Sequence, residues 1–122
     1  MRAEKFTLKT QEALQQAQSL ASGRNHQEIT PAHILAALLE QKEGIVAPLL
    51  QKIGASPEVV KGELEDILSS LASVHGDVQR YLSAKAGKVI EKAEKAASQL
   101  KDEYVSTEHL LLALAEQPDN VG

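Results

Sequence analysis

Cysteine and tryptophan are absent from this 122-residue chain, which has only one Phe and two Tyr. Without cysteine there is no disulfide framework, no thiolate nucleophile and no cysteine metal site, which fits a reducing compartment. The net charge is −4, so there is no basic field to hold phosphates and almost no aromatic surface on which bases could stack. A nucleic-acid partner is therefore not expected. Long apolar runs are also missing. The two longest, Ile34–Leu39 and Leu110–Ala115, are six residues each, whereas a membrane span needs about 20. Met1–Lys5 leads into a polar amphipathic segment rather than a signal-peptide core. These features together lead to the expectation of a cytoplasmic protein with no membrane partner.

Catalytic patterns are absent as well. The only Gly-Lys pair, Gly87-Lys88, is followed by Val89, and Leu82 stands where a phosphate-binding loop needs its first glycine. Four histidines are present, His26, His33, His75 and His109, but none form an i,i+4 pair or a His-Glu-x-x-His motif. No metal site is expected, and each imidazole is read as bonding near its own helix start. There is no nucleophile-elbow glycine pattern. The candidate second helices of a helix-turn-helix, at 31–42 and 107–117, are apolar and nearly devoid of basic residues.

What is present is a repeat. Thr30-Pro31-Ala32-His33-Ile34-Leu35-Ala36-Ala37-Leu38-Leu39-Glu40-Gln41 returns, offset by 76, as Ser106-Thr107-Glu108-His109-Leu110-Leu111-Leu112-Ala113-Leu114-Ala115-Glu116-Gln117, with six of twelve positions identical. Self-similarity of this kind dictates architecture. Each copy opens with a capping hydroxyl and continues as an apolar run, so each reads as a buried helix. The preceding helices match at the same offset through Lys9/Lys85, Ala17/Ala93, Ala21/Ala97 and Ser22/Ser98.

The chain reads as all-α, a pseudo-twofold repeat of a four-helix motif. Thr7 caps a first helix reaching about Ser22, with Ala13, Leu14, Ala17, Leu20 and Ala21 inward and Gly23 as its left-handed terminator. Thr30-Pro31 opens the second, which Gly44 ends. A short third helix turns Val46, Leu49, Leu50 and Ile53 inward, tolerates Pro48 only in its first turn, and closes at Gly54. Ser56-Pro57 opens a fourth, with an inward stripe of Val60, Leu64, Ile67 and Leu71. Gly62 weakens it by roughly 1 kcal/mol relative to Ala, so a packing reason or local softness is expected there. Ser83 opens a fifth helix reaching about Leu100, with Ala86, Val89, Ile90, Ala93, Ala97 and Leu100 inward. Ser106 opens a sixth that Pro118 stops.

One domain over 1–122 is expected, with a first half-repeat at 1–71, a linker at 72–82 and a second half-repeat at 83–122. The second copy lacks counterparts of the third and fourth helices, so it reads as truncated, with about six helices of an expected eight. Residues after Pro118 are expected to be poorly packed.

Several stretches in combination carry a family resemblance. They are Phe6-Thr7 before Gln11–Ala17, Ile29-Thr30-Pro31-Ala32-His33-Ile34-Leu35, Leu49–Gly54, and Lys101-Asp102-Glu103-Tyr104-Val105-Ser106-Thr107-Glu108-His109-Leu110-Leu111. Over essentially the whole chain, the sequence resembles the N-terminal domain of Clp-family AAA+ unfoldases, most closely the disaggregases of the ClpB type. The resemblance implies a non-catalytic, linker-tethered module on a hexameric threading machine. Such a module engages unfolded or aggregated polypeptide and passes it to the pore. No cofactor is implied in this domain; ATP and Mg would belong to AAA+ modules of the parent protein, and an Hsp70-type chaperone system would be met through other domains. The isolated domain is expected to be a monomer.

The resemblance also implies site residues: Thr7, Asp102 and Glu108 would contact substrate. At offset 76, Glu108 faces Ala32 and Asp102 faces His26, so the fold is satisfied without carboxylates at the matching positions of the other half. An apolar groove bordered by the fifth helix and the start of the sixth is implied too. Lys92, Ala96 and His109 stand at positions that are larger and apolar in some relatives, so the groove is expected to be shallower or more polar here. The rival reading is the N-domain of a protease-partnered Clp unfoldase, which binds adaptor proteins.

Overall fold

The computed structural model describes residues 5–76 and 79–116. Six helices occur among them: α1 (Leu8–Gly23), α2 (Pro31–Glu40), α3 (Val46–Lys52), α4 (Pro57–Ser70), α5 (Ala84–Gln99) and α6 (Thr107–Ala115). Each half begins with a packed helix pair, α1 against α2 and α5 against α6; α2 touches each of the other five helices, and α6 touches α1, α2, α3 and α5. Alanines at helical spacing make these close approaches feasible. Ala13, Ala17 and Ala21 on α1, and Ala86, Ala93 and Ala97 on α5, are fully or nearly fully buried. Ile34, Leu38, Leu110 and Leu114 fill the centre. The region expected after Pro118 lies outside the described residues.

The helix starts follow the cap signals. Thr7, Ser56 and Ser83 accept a backbone N–H of their own first turns, while Thr30 and Ser106 form capping boxes. Pro48 falls in the first turn of α3, where its missing N–H costs nothing.

The helix ends differ from expectation in a consistent way. Gly23 stays helical as the last residue of α1, and Asn25 takes the left-handed conformation at φ 60°. Lys101, which matches Asn25 at offset 76, does the same after α5. The reach of the backbone bonds decides this: His26 N–H bonds Ala21 O and Asp102 N–H bonds Ala97 O, both at 2.8 Å, each closing its helix with a wide turn. α2 ends at Glu40, four residues before Gly44. That glycine is needed for space, since a Cβ there would sit 2.9 Å from Gln41 Cβ. Gly54 does close α3, at φ 86°. Ile53 and Leu100, expected inward, are 76% and 64% exposed. Each lies at a helix end, where the apolar face has run past the helices that cover it.

Two short strands were not foreseen. β1 (Glu28–Ile29) pairs in parallel with β2 (Tyr81–Leu82), inside the stretch read as linker. Phe6 forms a matching bridge with Val105. At offset 76, Phe6 matches Leu82 and Ile29 matches Val105, so each half gives its pre-helix strand to the loop of the other. Backbone groups that would be stranded in an all-helical domain are satisfied this way. Thr7 N–H donates to Val105 O at 3.1 Å, and Ser83 N–H donates to Ile29 O at 2.9 Å.

No side chain or backbone approaches the place where a Cβ at Gly62 would stand, and the residue is exposed on α4. With no packing reason for the glycine, Gly62→Ala is expected to stabilise the domain by about 0.5–1 kcal/mol through helix propensity and a less flexible unfolded chain. Urea unfolding of the two proteins measures this, and a destabilised alanine variant would contradict it.

Candidate functional site

The N-terminal turns of α2 and α6 carry the same device. In α6, Ser106 N–H donates to His109 Nδ1 at 2.8 Å, with Ser106 Oγ 3.0 Å from the same nitrogen. His109 Nε2 faces Asp102 Oδ2 at 2.9 Å. In α2, Thr30 N–H donates to His33 Nδ1 at 2.9 Å, and His33 Nε2 faces His26 Nδ1 at 2.9 Å. A histidine at the third helical position thus replaces the usual Glu or Gln of a capping box. It also uses its far nitrogen to grip the loop seven residues upstream. The reading that each imidazole bonds near its own helix start holds for His33 and His109.

The two copies differ in what is gripped. His26 is buried, and its carbonyl accepts Arg80 Nε at 2.8 Å. The stretch after α4 crosses the same loop, with Val74 N–H on Asn25 O at 2.7 Å. Burial first, then His26 and Arg24, pushes the pKa of His33 down to about 4. Burial, then Arg24 and Arg80, lowers that of His26. Among the described residues, no carboxylate pairs with either ring. Asp102, at the corresponding place, keeps half of its side chain in solvent.

Asp102 and Glu108 line one groove of about 560 Å³. Its walls are Leu49 and Leu50 of α3, Ile53 just after it, Val60 of α4, Leu100 after α5, and Leu111, Leu112 and Ala115 of α6. Among the described residues no Lys or Arg lines it, so the two carboxylates set its charge. Glu108 is exposed in the first turn of α6, where a negative charge also complements the helix dipole. In the first half, α4 places Leu64 and Leu68 beside Leu20 and Ala36. The offset-76 counterparts of those last two are Ala96 and Leu112, and Leu112 is left 47% exposed.

Thr7 does not line this groove. It is half-buried at the cap of α1, where its Oγ1 is 2.8 Å from Thr10 Oγ1, which in turn donates to Val105 O at 2.9 Å. It is joined to the segment between Asp102 and Glu108 through that strand contact. Lys92 and Ala96 are half-buried on α5 and do not line the groove either. His109 does line it, yet it is 6% exposed and turned to Asp102, so it contributes more to the loop than to an apolar floor. Sequence reasoning missed the His109–Asp102 contact. The signal was present in the offset alignment, which pairs His33 with His109 and His26 with Asp102 at a shared spacing of seven. Among the described residues, no group of three or more His, Asp or Glu could hold a metal ion, and no helix is long and apolar enough to cross a membrane.

Residues 5–122 match the Clp repeat (R) N-terminal domain family. The chain is 43% identical over 117 residues to the chaperone protein ClpB of Mycobacterium tuberculosis, covering 95% of this chain and 14% of that protein. It therefore spans about a seventh of the length of that relative. Among solved structures, the Hsp104 N-terminal domain of Candida albicans superposes with a TM-score of 0.86 at 27% identity, over 94% of this chain and 76% of that one. A ClpV N-domain in complex with a VipB peptide shares the fold at 23% identity, with a TM-score of 0.74, over 93% of this chain and 69% of that one. The all-α fold, the internal repeat and the family match agree: the chain belongs to the Clp repeat N-terminal domain family, with ClpB-type chaperones among its relatives.

Proposed function

We propose that this domain is the substrate-engaging module of a ClpB-type disaggregase. It binds unfolded or aggregated polypeptide weakly and hands it to the pore of a hexameric AAA+ parent. The observation that carries this reading is the pair Asp102 and Glu108 on the rim of an apolar groove with no Lys or Arg among its described lining residues. An exposed, flexible segment with apolar and basic side chains complements that surface in both respects. The ClpV N-domain complex supports it at the level of the fold, since a peptide is seated on the same architecture. Weak contacts suit a handover step, because several copies on one ring supply avidity. The domain itself is non-catalytic in this proposal and needs no cofactor. ATP and Mg act in AAA+ modules of the parent protein, which meets an Hsp70-type system through other domains. Thr7 supports the segment bearing the two carboxylates through Val105, and contacts clients less directly.

The test is the Asp102→Ala, Glu108→Ala double variant, titrated against a fluorescent unfolded peptide rich in Lys and Leu. Two rim charges worth up to about 1 kcal/mol together predict about a fivefold weaker affinity, with the circular dichroism spectrum unchanged. Equal affinity for the variant and the parent sequence would refute the reading.

A further inference from the structure

We propose that His109 is a positioning residue for Asp102: its neutral imidazole locks one carboxylate oxygen to the α6 cap and presents the other to the groove. This rests on the reading of Asp102 as a client-facing carboxylate. Ser106 N–H is an obligate donor, so the Nδ1 that accepts it at 2.8 Å bears no proton. The neutral ring then carries its proton on Nε2, aimed at Asp102 Oδ2 at 2.9 Å. Rotating the ring would strand the Ser106 amide and remove the donor from Asp102 together, so the two bonds enforce one another.

Asp102 needs such a constraint. It is half-exposed on a loop that follows the left-handed Lys101, and its Oδ1 makes no hydrogen bond to the described residues. An unconstrained carboxylate there would have to be ordered at each binding event. One held in place beforehand avoids that entropic cost. The first half shows that the socket is separable from what it holds. His33 is capped by Thr30 in the same geometry, yet it grips the buried His26. A carboxylate is therefore not required by the cap. It is the part in which the second copy departs from the first, and it points outward.

His109→Glu separates the two duties. Glutamate at this position can accept the Ser106 N–H as an ordinary capping box, but its carboxylate has no hydrogen to donate to Asp102. The measurement is a double-mutant cycle on binding of the Lys- and Leu-rich unfolded peptide, using Asp102→Asn in the parent and in the His109→Glu background. In the parent, Asp102→Asn is expected to weaken binding about threefold; in the His109→Glu background the same change is expected to have less than about a 1.5-fold effect. Nitrogen-15 spectra of the imidazole should show the Nε2–H tautomer in the parent, with the Nε2 resonance displaced by Asp102→Asn. A threefold effect in both backgrounds would make His109 merely structural and overturn the proposal. A proton on Nδ1 would do the same. If Asp102→Asn leaves parent binding unchanged while the imidazole resonance still responds, the client-facing reading of Asp102 is what fails.

Discussion

Leu38→Ala should cost the domain about 2–5 kcal/mol, the range for truncating a buried leucine. Leu38 is 1% exposed in the last turn of α2, on the helix that touches α1, α4, α5 and α6. Close packing on all these sides leaves the cavity little means of collapse, so the loss should lie in the upper part of that range. Leu114 matches Leu38 at offset 76 and is nearly as buried, at 3%. It also lines the open groove, so water or relaxing neighbours can reach the vacated space. Leu114→Ala should therefore fall in the same range but below Leu38→Ala. For a domain with an ordinary total of about 5–15 kcal/mol, either change takes a large share. Urea unfolding with an unchanged m-value would report it. A loss under 1 kcal/mol for Leu38→Ala, or a larger loss for Leu114→Ala, would contradict this picture of the core.

Acid should destabilise the domain through the His26–His33 pair, well before it acts on most carboxylates. The folded pKa of His33, about 4, lies below its unfolded value of 6.5. Unfolding therefore takes up a proton between these values, and stability falls as pH falls through that window. Above about pH 6.5 the pair contributes no pH dependence. By pH 4 the loss from His33 is about 3 kcal/mol, from the size of the shift. His26 shifts in the same direction and deepens it. The physical cause is a protonated ring with nowhere to place its charge. His33 is fully buried beside His26 and the Arg24 cation, Arg80 adds a second cation next to His26, and an added Nδ1 proton would confront the Thr30 amide. His33→Gln keeps a capping-box acceptor and cannot titrate. The gap in stability between parent and variant should therefore shrink or reverse by about 3 kcal/mol between pH 7 and pH 4. Parallel pH profiles would rule out this pair as the source of acid lability.

Much of the fold can be read from the chain because its signals are local. Thr7, Thr30, Ser56, Ser83 and Ser106 mark every helix start except that of α3, since a cap needs only its own first turn. The alanine and leucine spacing of α1, α2, α5 and α6 identifies their buried faces for the same reason. The 76-residue offset pairs α1 with α5 and α2 with α6 from residue identities alone. What the chain did not reveal was exchanged between its halves. Phe6 meets Val105 and Ile29 meets Leu82 across 99 and 53 positions, and strands of two residues carry no periodicity to detect. Helix ends were misplaced at Gly23 and Gly44 because the terminating turn is closed by backbone bonds, and Asn25 and Lys101 could accept the left-handed strain.

The same division applies to the site. Aligning the two copies is enough to place Asp102 and Glu108 where they differ, and His33 and His109 where they agree. The packing of the helices is what brings His109 Nε2 to Asp102, gives both carboxylates a groove shared with α3, and leaves Thr7, Lys92 and Ala96 outside its lining. The physical reason is that residue type and spacing encode what a side chain can bond to within a turn or two. Which groups face one another across a groove depends on how separate helices cross, and that is settled by the packing of the whole core.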